Sequence, residues 1–274
     1  MRWPGFKIKA LTLSYDDGVI YDKQLIEIMS KYGIKGTFNI NSGLFAKETG
    51  GVRMTRDEAY KLYTESGNEV AVHGVKHLAL DAVNSACAVN DVLNDRIALE
   101  NMFGTLVQGM AYAFGSYDQR VLEILKNCGI NYARTTASNE KCDIPEDWLR
   151  LAPTCHHKHP RLMELARDFL AYTDEGKYHS TPRMFYLWGH SYEFNDANNW
   201  NVIEDFCELV GGKDDVWYAT NGEIYDYVAA YDSLRYSADG TLVYNPSAKD
   251  VYIAYYTRQY VIPAGGVARV APKV

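Results

Sequence analysis

The chain has 274 residues, 47% hydrophobic and 23% charged, enough for one large domain or one domain with a small appendage. This composition excludes a disordered, collagenous or coiled-coil chain. Lys and Arg number 28 against 35 Asp and Glu, a net charge of −7 with a pI near 5.5, which argues against nucleic acid or an anionic membrane as the main partner.

No apolar stretch approaches the roughly 18 residues of a membrane-spanning helix. The opening Met1-Arg2-Trp3-Pro4-Gly5 has no apolar leader core. A cytoplasmic location is therefore favoured, with an extracytoplasmic one open if a leader has been removed. Cys87, Cys128, Cys142, Cys155 and Cys207 are widely spaced and contain no C-x-x-C pair, so buried free thiols are expected rather than a disulfide framework or a zinc knuckle.

Short apolar runs alternate with longer amphipathic ones, the pattern of strands joined by crossover helices in a parallel sheet. In chain order, residues 7–15 read as a strand, 22–32 as a helix, 36–40 as a strand, 56–66 as a helix capped by Thr55, and 69–72 as a third strand. A helix over 85–103 follows, then a strand at 109–113, a helix at 118–128 and a strand at 131–135. After an irregular stretch come a helix at 161–172, a strand at 184–188, a helix at 200–210, a strand at 216–218 and a helix at 220–231. About seven strands fall one short of an eightfold barrel. The expected fold is α/β, a distorted, incomplete (β/α) barrel over residues 1–231. Short alternating runs at 234–237, 241–244, 251–256 and 259–262, separated by Asp239-Gly240 and Asn245-Pro246, predict a small antiparallel β appendage over 232–274.

In such a barrel, reactive groups collect where the strands end, because the loops there converge on one mouth. The first strand ends in Asp16-Asp17-Gly18, the third in His73 with His77 four residues on, and the run Met184-Phe185-Tyr186-Leu187-Trp188 in Gly189-His190. Two carboxylates and three imidazoles thus fall on one rim. If residues 74–76 form a helical turn, His73 and His77 face the same way and share a metal, with one of the two aspartates completing a site that keeps open positions for water and substrate. The neighbouring aspartate then stays free to accept a proton.

Ser14-Tyr15-Asp16-Asp17-Gly18 and His73-Gly74-Val75-Lys76-His77 resemble the first two motifs of the polysaccharide deacetylase (NodB homology) family of carbohydrate esterases, a likeness extending over residues 7–230. The resemblance implies a divalent metal, zinc foremost with cobalt or nickel as alternatives, on Asp17, His73 and His77. It implies Asp16 as general base and His190 as general acid. The family's third motif, Arg-x-Pro-Tyr, falls on Ala111-Tyr112-Ala113-Phe114, so the main-chain amide of Phe114 would help to hold an oxyanion. Ala111 stands where the family has arginine, and Arg134, at the end of the next strand, is the candidate substitute. Gly74 stands where the family has a hydroxyl residue.

Cys155-His156-His157-Lys158-His159 has no carboxylate close in sequence and reads as a pocket-lining loop rather than a second metal site. Trp148, Trp188 and Tyr192 are candidates to stack on sugar rings, Trp188 being within a strand. Specificity is expected from the loops at 135–160 and 192–200. The resulting expectation is a metal-dependent hydrolase that removes N-acetyl groups from an acetylated amino sugar or polysaccharide, without a nucleic-acid partner or a membrane span. An O-acetyl esterase, a non-sugar amidase, or a non-catalytic sugar-binding protein on the same scaffold are the alternatives.

Overall fold

The computed structural model describes residues 1–174, 181–255 and 258–270. Its centre is a curled parallel sheet whose elements run β1 (Lys9–Asp16), α1 (Asp22–Lys31), β2 (Gly36–Ile40), α2 (Arg56–Ser66), β3 (Glu69–Val72), α3 (Ser85–Phe103), β4 (Gly109–Ala111), α4 (Gln119–Asn127), β5 (Tyr132–Arg134), β6 (Cys155–His156), α5 (Leu162–Ala171), β7 (Arg183–Gly189), α6 (Tyr192–Asp196), α7 (Asn201–Val210), β8 (Val216–Tyr218) and α8 (Asn221–Asp232). The strand order is β5-β4-β3-β2-β1-β7-β6. β2 pairs with the later half of β1, from Leu13 onward, while β8 pairs with its first residues, Lys9 to Leu11. A parallel bridge from Arg134 to Leu151, on the approach to β6, draws the far edge of the sheet round toward β7. The result is the distorted, incomplete barrel that the alternation of elements predicts. β6 is the strand that the sequence does not announce, because two residues carry no period.

Helix boundaries follow local chemistry. Thr55 with Glu58 and Thr220 with Glu223 form capping boxes, and the Asp118 side chain accepts from the Val121 N–H, each satisfying N–H groups that the helix cannot pair internally. Residues 118 and 220, expected inside helices, are thus their caps.

β1 shows how the barrel sorts its residues. Leu11, Leu13 and Tyr15 enter the main apolar core, and the alternating Thr12, Ser14 and Asp16 are buried polar groups, the period-2 pattern of a strand covered on both faces. The polar side chains pair with one another, as burial demands. Thr12 Oγ1 donates to Asn221 Oδ1 (2.8 Å), Asn221 Nδ2 to the Tyr186 hydroxyl (2.6 Å), and Thr37 Oγ1 and the Tyr132 hydroxyl to the Glu69 carboxylate (2.7 and 2.8 Å). Nearer the rim, Asn39 Nδ2 bonds Ser14 Oγ and Asp16 Oδ1, both at 2.8 Å.

Asp22, buried at the start of α1, accepts from Ser191 Oγ and the Tyr63 hydroxyl, both at 2.5 Å. Burial outweighs these donors and raises its pKa to about 7. Because the folded value lies above the unfolded one, the unfolded chain releases this proton first. Stability is therefore expected to fall by up to about 4 kcal/mol as pH rises from about 4 to 7. Urea titrations across that range should show a flatter pH slope for Asp22→Asn than for the parent. Equal slopes would mean that the acid is not carrying the effect.

Beyond α8, β9 (Arg235–Tyr236), β10 (Leu242–Tyr244) and β13 (Val267–Arg269) form one antiparallel sheet, and β11 (Val251–Tyr255) and β12 (Arg258–Ile262) a hairpin. Tyr256, at the end of the run read as 251–256, lies outside the described residues. Val243, Val251, Ile253, Ile262 and Val270 make a small core of their own with Ala230. The Arg2 N–H donates to the Tyr252 carbonyl (2.8 Å) and the Tyr252 N–H to the Tyr227 hydroxyl (2.9 Å), which tie the hairpin to the start of the chain and to α8.

The five cysteines are free: Cys128, Cys155 and Cys207 are buried and Cys142 half-buried. Cys87 departs from the expectation of burial, because it lies in the first turn of α3 on a solvent-facing side. Among the described residues no helix is long and apolar enough to cross a membrane.

Candidate metal and acid-base site

Asp16 is the last residue of β1 and is only 2% exposed. Its Oδ1 accepts from Asn39, and its Oδ2 from Arg134 Nη2, a side chain that is itself fully buried. Ala111 and Arg134 are register partners on β4 and β5. The cation therefore comes from the neighbouring strand at the same level of the barrel. The guanidinium also lies 4.3 Å from the centre of the Trp188 ring, which leaves that indole 8% exposed, with its N–H 3.4 Å from Ser138 Oγ. Burial by itself disfavours an ionised Asp16; the charges of Arg134, His73 and His190 outweigh it and hold the carboxyl below its usual range.

Asp17 turns the other way. Its φ of +86° is rare for a residue with a side chain. Its main-chain carbonyl accepts from Arg53 Nη1, and its Oδ1 lies 3.2 Å from Arg53 Nη2 and 3.9 Å from His77 Nε2. Two adjacent carboxylates thus have separate surroundings, one clamped inside the barrel and one at its edge.

His73 and His77 do converge, but not through a helical turn. Residues 73–77 form a bend in which Gly74 has φ +82° and His77 φ +56°. The Asp91 Oδ1 accepts from the Lys76 N–H (2.8 Å), Asp95 Oδ2 from the His73 N–H (3.0 Å), and Asn41 Nδ2 donates to the carbonyls of His73 and Gly74 (2.8 and 2.9 Å). These partners replace the hydrogen bonds that a helical turn would have supplied. A Cβ at position 74 would collide with Asp91 Oδ2, so glycine is the residue this bend requires.

The imidazole rings of His73 and His77 lie 4.7 Å apart at 73°. His73 Nδ1 is 2.9 Å from the Ala111 carbonyl, an acceptor only, so Nδ1 carries the ring proton and Nε2 presents a lone pair. That Nε2 is buried without a hydrogen-bond partner among the described residues. Burial lowers the His73 pKa against the pull of Asp16 and Asp17, favouring the neutral ring that ligates metals. Ligand atoms of Asp17, His73 and His77 all lie within 4.8 Å of one another. An orphaned lone pair, a second imidazole and a carboxylate suit a divalent cation with open positions.

His190 follows β7. Its Nε2 lies 3.9 Å from Asp16 Oδ2, the same separation as His73 Nε2 from that oxygen, and its Nδ1 lies 3.4 Å from Glu193 Oε2. Burial opposes a charged ring here, but Glu193 and Asp16 outweigh it and hold the His190 pKa above its ordinary value. Phe114 has φ +59° and is 69% exposed, its ring packed edge-on against His77 with centroids 4.6 Å apart. Tyr192 lies tilted against His190, ring centroids 5.1 Å apart, whereas Trp148 packs on Tyr225 in a separate cluster.

Four positions escape the strand-end reading. Arg53 stands on a connecting segment with no local pattern. Asp91 and Asp95 are one turn apart on α3 and nearly fully buried, a spacing visible in sequence although the loop they brace is not. Glu193 is three residues past His190 and supplies the carboxylate that the 155–159 run lacks in sequence: His156 Nε2 and His157 Nε2 each lie 3.1 Å from its Oε2. His159 instead faces Glu140, at 3.3 Å.

A family model described as polysaccharide deacetylase matches residues 5–133. No curated protein matches the chain in sequence. Among solved structures, a putative polysaccharide deacetylase from Mycobacterium smegmatis aligns at 17% identity and a TM-score of 0.60 over 85% of this chain and 94% of that one. A chitin deacetylase from the fungal pathogen Colletotrichum lindemuthianum aligns at 17% identity and 0.52 over 81% and 89%. A Streptococcus pyogenes deacetylase in complex with acetate aligns at 20% identity and 0.43 over 46% of this chain, which spans 55% of that protein. At these identities the likeness is one of fold.

Proposed function

Since residues 5–133 belong to the polysaccharide deacetylase family, we propose that the chain is a hydrolase that removes acetyl groups from the nitrogen of an acetylated amino sugar. The observation that carries this reading is the meeting of Asp17, His73 and His77 beside a second, differently partnered aspartate, Asp16. Asp17, His73 and His77 would hold a divalent cation, zinc foremost, which when bound supplies a polarised acyl oxygen and a more acidic water.

The remaining work falls to the chain's own groups. Asp16, kept ionised by Arg134, accepts a proton from the attacking water. The Phe114 amide faces the oxyanion as the acyl carbon becomes tetrahedral. His190, charged through its contact with Glu193, protonates the nitrogen while the carbon–nitrogen bond breaks, so acetate and a free amine leave.

Acetate release from N-acetylglucosamine oligomers, followed through chelation and readdition of zinc, tests the reading. Release that stops on chelation and returns with zinc is expected. Release from O-acetylated sugars alone would make the protein an esterase. A bound ion without release from either class would leave only a sugar-binding protein.

A further inference from the structure

Around Glu193 the structure gathers a second set of metal-binding atoms. Glu193 Oε1 is held by Lys158 Nζ at 2.7 Å, which leaves Oε2 facing His156 Nε2 and His157 Nε2, both at 3.1 Å. One ligand atom from each of the three residues lies within 4.8 Å of the others. His157 is 3% exposed. Its ring lies between Tyr15 (5.9 Å) and Phe194 (4.1 Å), and it crosses β7 where Gly189 has no Cβ to obstruct it.

Neither His157 nitrogen has a hydrogen-bond partner among the described residues, and neither does Glu193 Oε2: the Nε2 contact is close but not directed as a hydrogen bond. Atoms bound to zinc at about 2.0–2.2 Å in a tetrahedron stand roughly 3.4 Å from each other. A close, undirected nitrogen–oxygen approach between buried, unpartnered atoms therefore suits a shared ion better than a hydrogen bond.

We propose that His156 Nε2, His157 Nε2 and Glu193 Oε2 form a second divalent-cation site, separate from Asp17, His73 and His77. It binds more weakly than the first. Ligation through His156 Nε2 moves that ring's proton to Nδ1, which at present accepts from the Lys158 N–H at 3.1 Å, so this contact must open. Glu193 Oε2 also lies 3.4 Å from His190 Nδ1, an ionic approach. An ion there draws the carboxylate away from His190, and excess metal slows turnover. This consequence rests on the proposed hydrolase; binding itself does not.

The test is equilibrium dialysis of the full chain against zinc, with metal counted by mass spectrometry, for the parent, His77→Ala, His156→Gln and the double variant. Thermal melts establish that each variant is folded. Two equivalents for the parent, one for each single variant and none for the double variant are expected. Excess zinc should slow the parent but not His156→Gln. One equivalent in the parent that His156→Gln keeps, or two retained by His156→Gln, overturns the site. Two equivalents retained by His77→Ala while His156→Gln keeps one would instead count against the first site and leave this one standing. Equal slowing of parent and His156→Gln by excess zinc overturns the link to turnover.

Discussion

Asp16→Asn is expected to keep the fold and the bound cation while lowering turnover by about 10²–10⁴-fold, the range supplied by a positioned general base. The carboxylate is not in the proposed ligand set of Asp17, His73 and His77, so removing its charge leaves those atoms in place. What disappears is a carboxylate oxygen that lies 3.9 Å from both His73 Nε2 and His190 Nε2, where a proton leaving water would go. The amide also turns a donor toward either Asn39 or Arg134, both of which are donors themselves, at a cost of about 1–3 kcal/mol. His73→Ala provides the contrast, since it deletes a ligand and should lose cation and turnover together. Steady-state rates set beside metal content separate the two variants. Activity within a few-fold of the parent in Asp16→Asn would remove Asp16 as the base.

Arg134→Met should be the most damaging of the stability variants, costing about 3–5 kcal/mol at neutral pH because it leaves a buried carboxylate without its cation. The pH dependence has a definite sign. In the parent, Asp16 is held below its ordinary pKa, so its stabilisation is present above the unfolded value and is lost as pH falls through the folded one. In the variant, burial dominates and the folded pKa rises above the unfolded value. The penalty then grows as pH increases past the unfolded value and shrinks in acid. The same rise moves the acidic limb of the rate profile upward in pH, because the base must be ionised to act. Urea titrations near pH 4 and near pH 7, together with a pH–rate profile, check both halves. Unchanged stability and an unmoved acidic limb would mean that some other group holds Asp16.

Much of the scaffold is legible from local chemistry. The boundaries of β2, α2, β3, α3 and β8 agree with the runs at 36–40, 56–66, 69–72, 85–103 and 216–218, since hydrophobic period and caps such as Thr55 act over a few residues. The rim histidines and aspartates are legible for a related reason: in a parallel sheet, the residue that ends an apolar run emerges at the mouth. The bend at 73–77 is not legible, because H-x-x-x-H spacing is the same in a helical turn and in a bend. Asn41, Asp91 and Asp95, arriving from other elements, decide between them.

The order of elements other than β6 and α6, the incomplete barrel and the set of strand-end residues were thus determined by the amino-acid sequence alone, through preferences that each segment expresses with its near neighbours. Tertiary structure decided which groups are partners: Arg134 across from Ala111, Arg53 on Asp17, and Glu193 among His156, His157 and His190. The physical reason is that a buried charge takes its partner from whatever the curled sheet brings within a few ångströms, and separation along the chain carries no record of that distance.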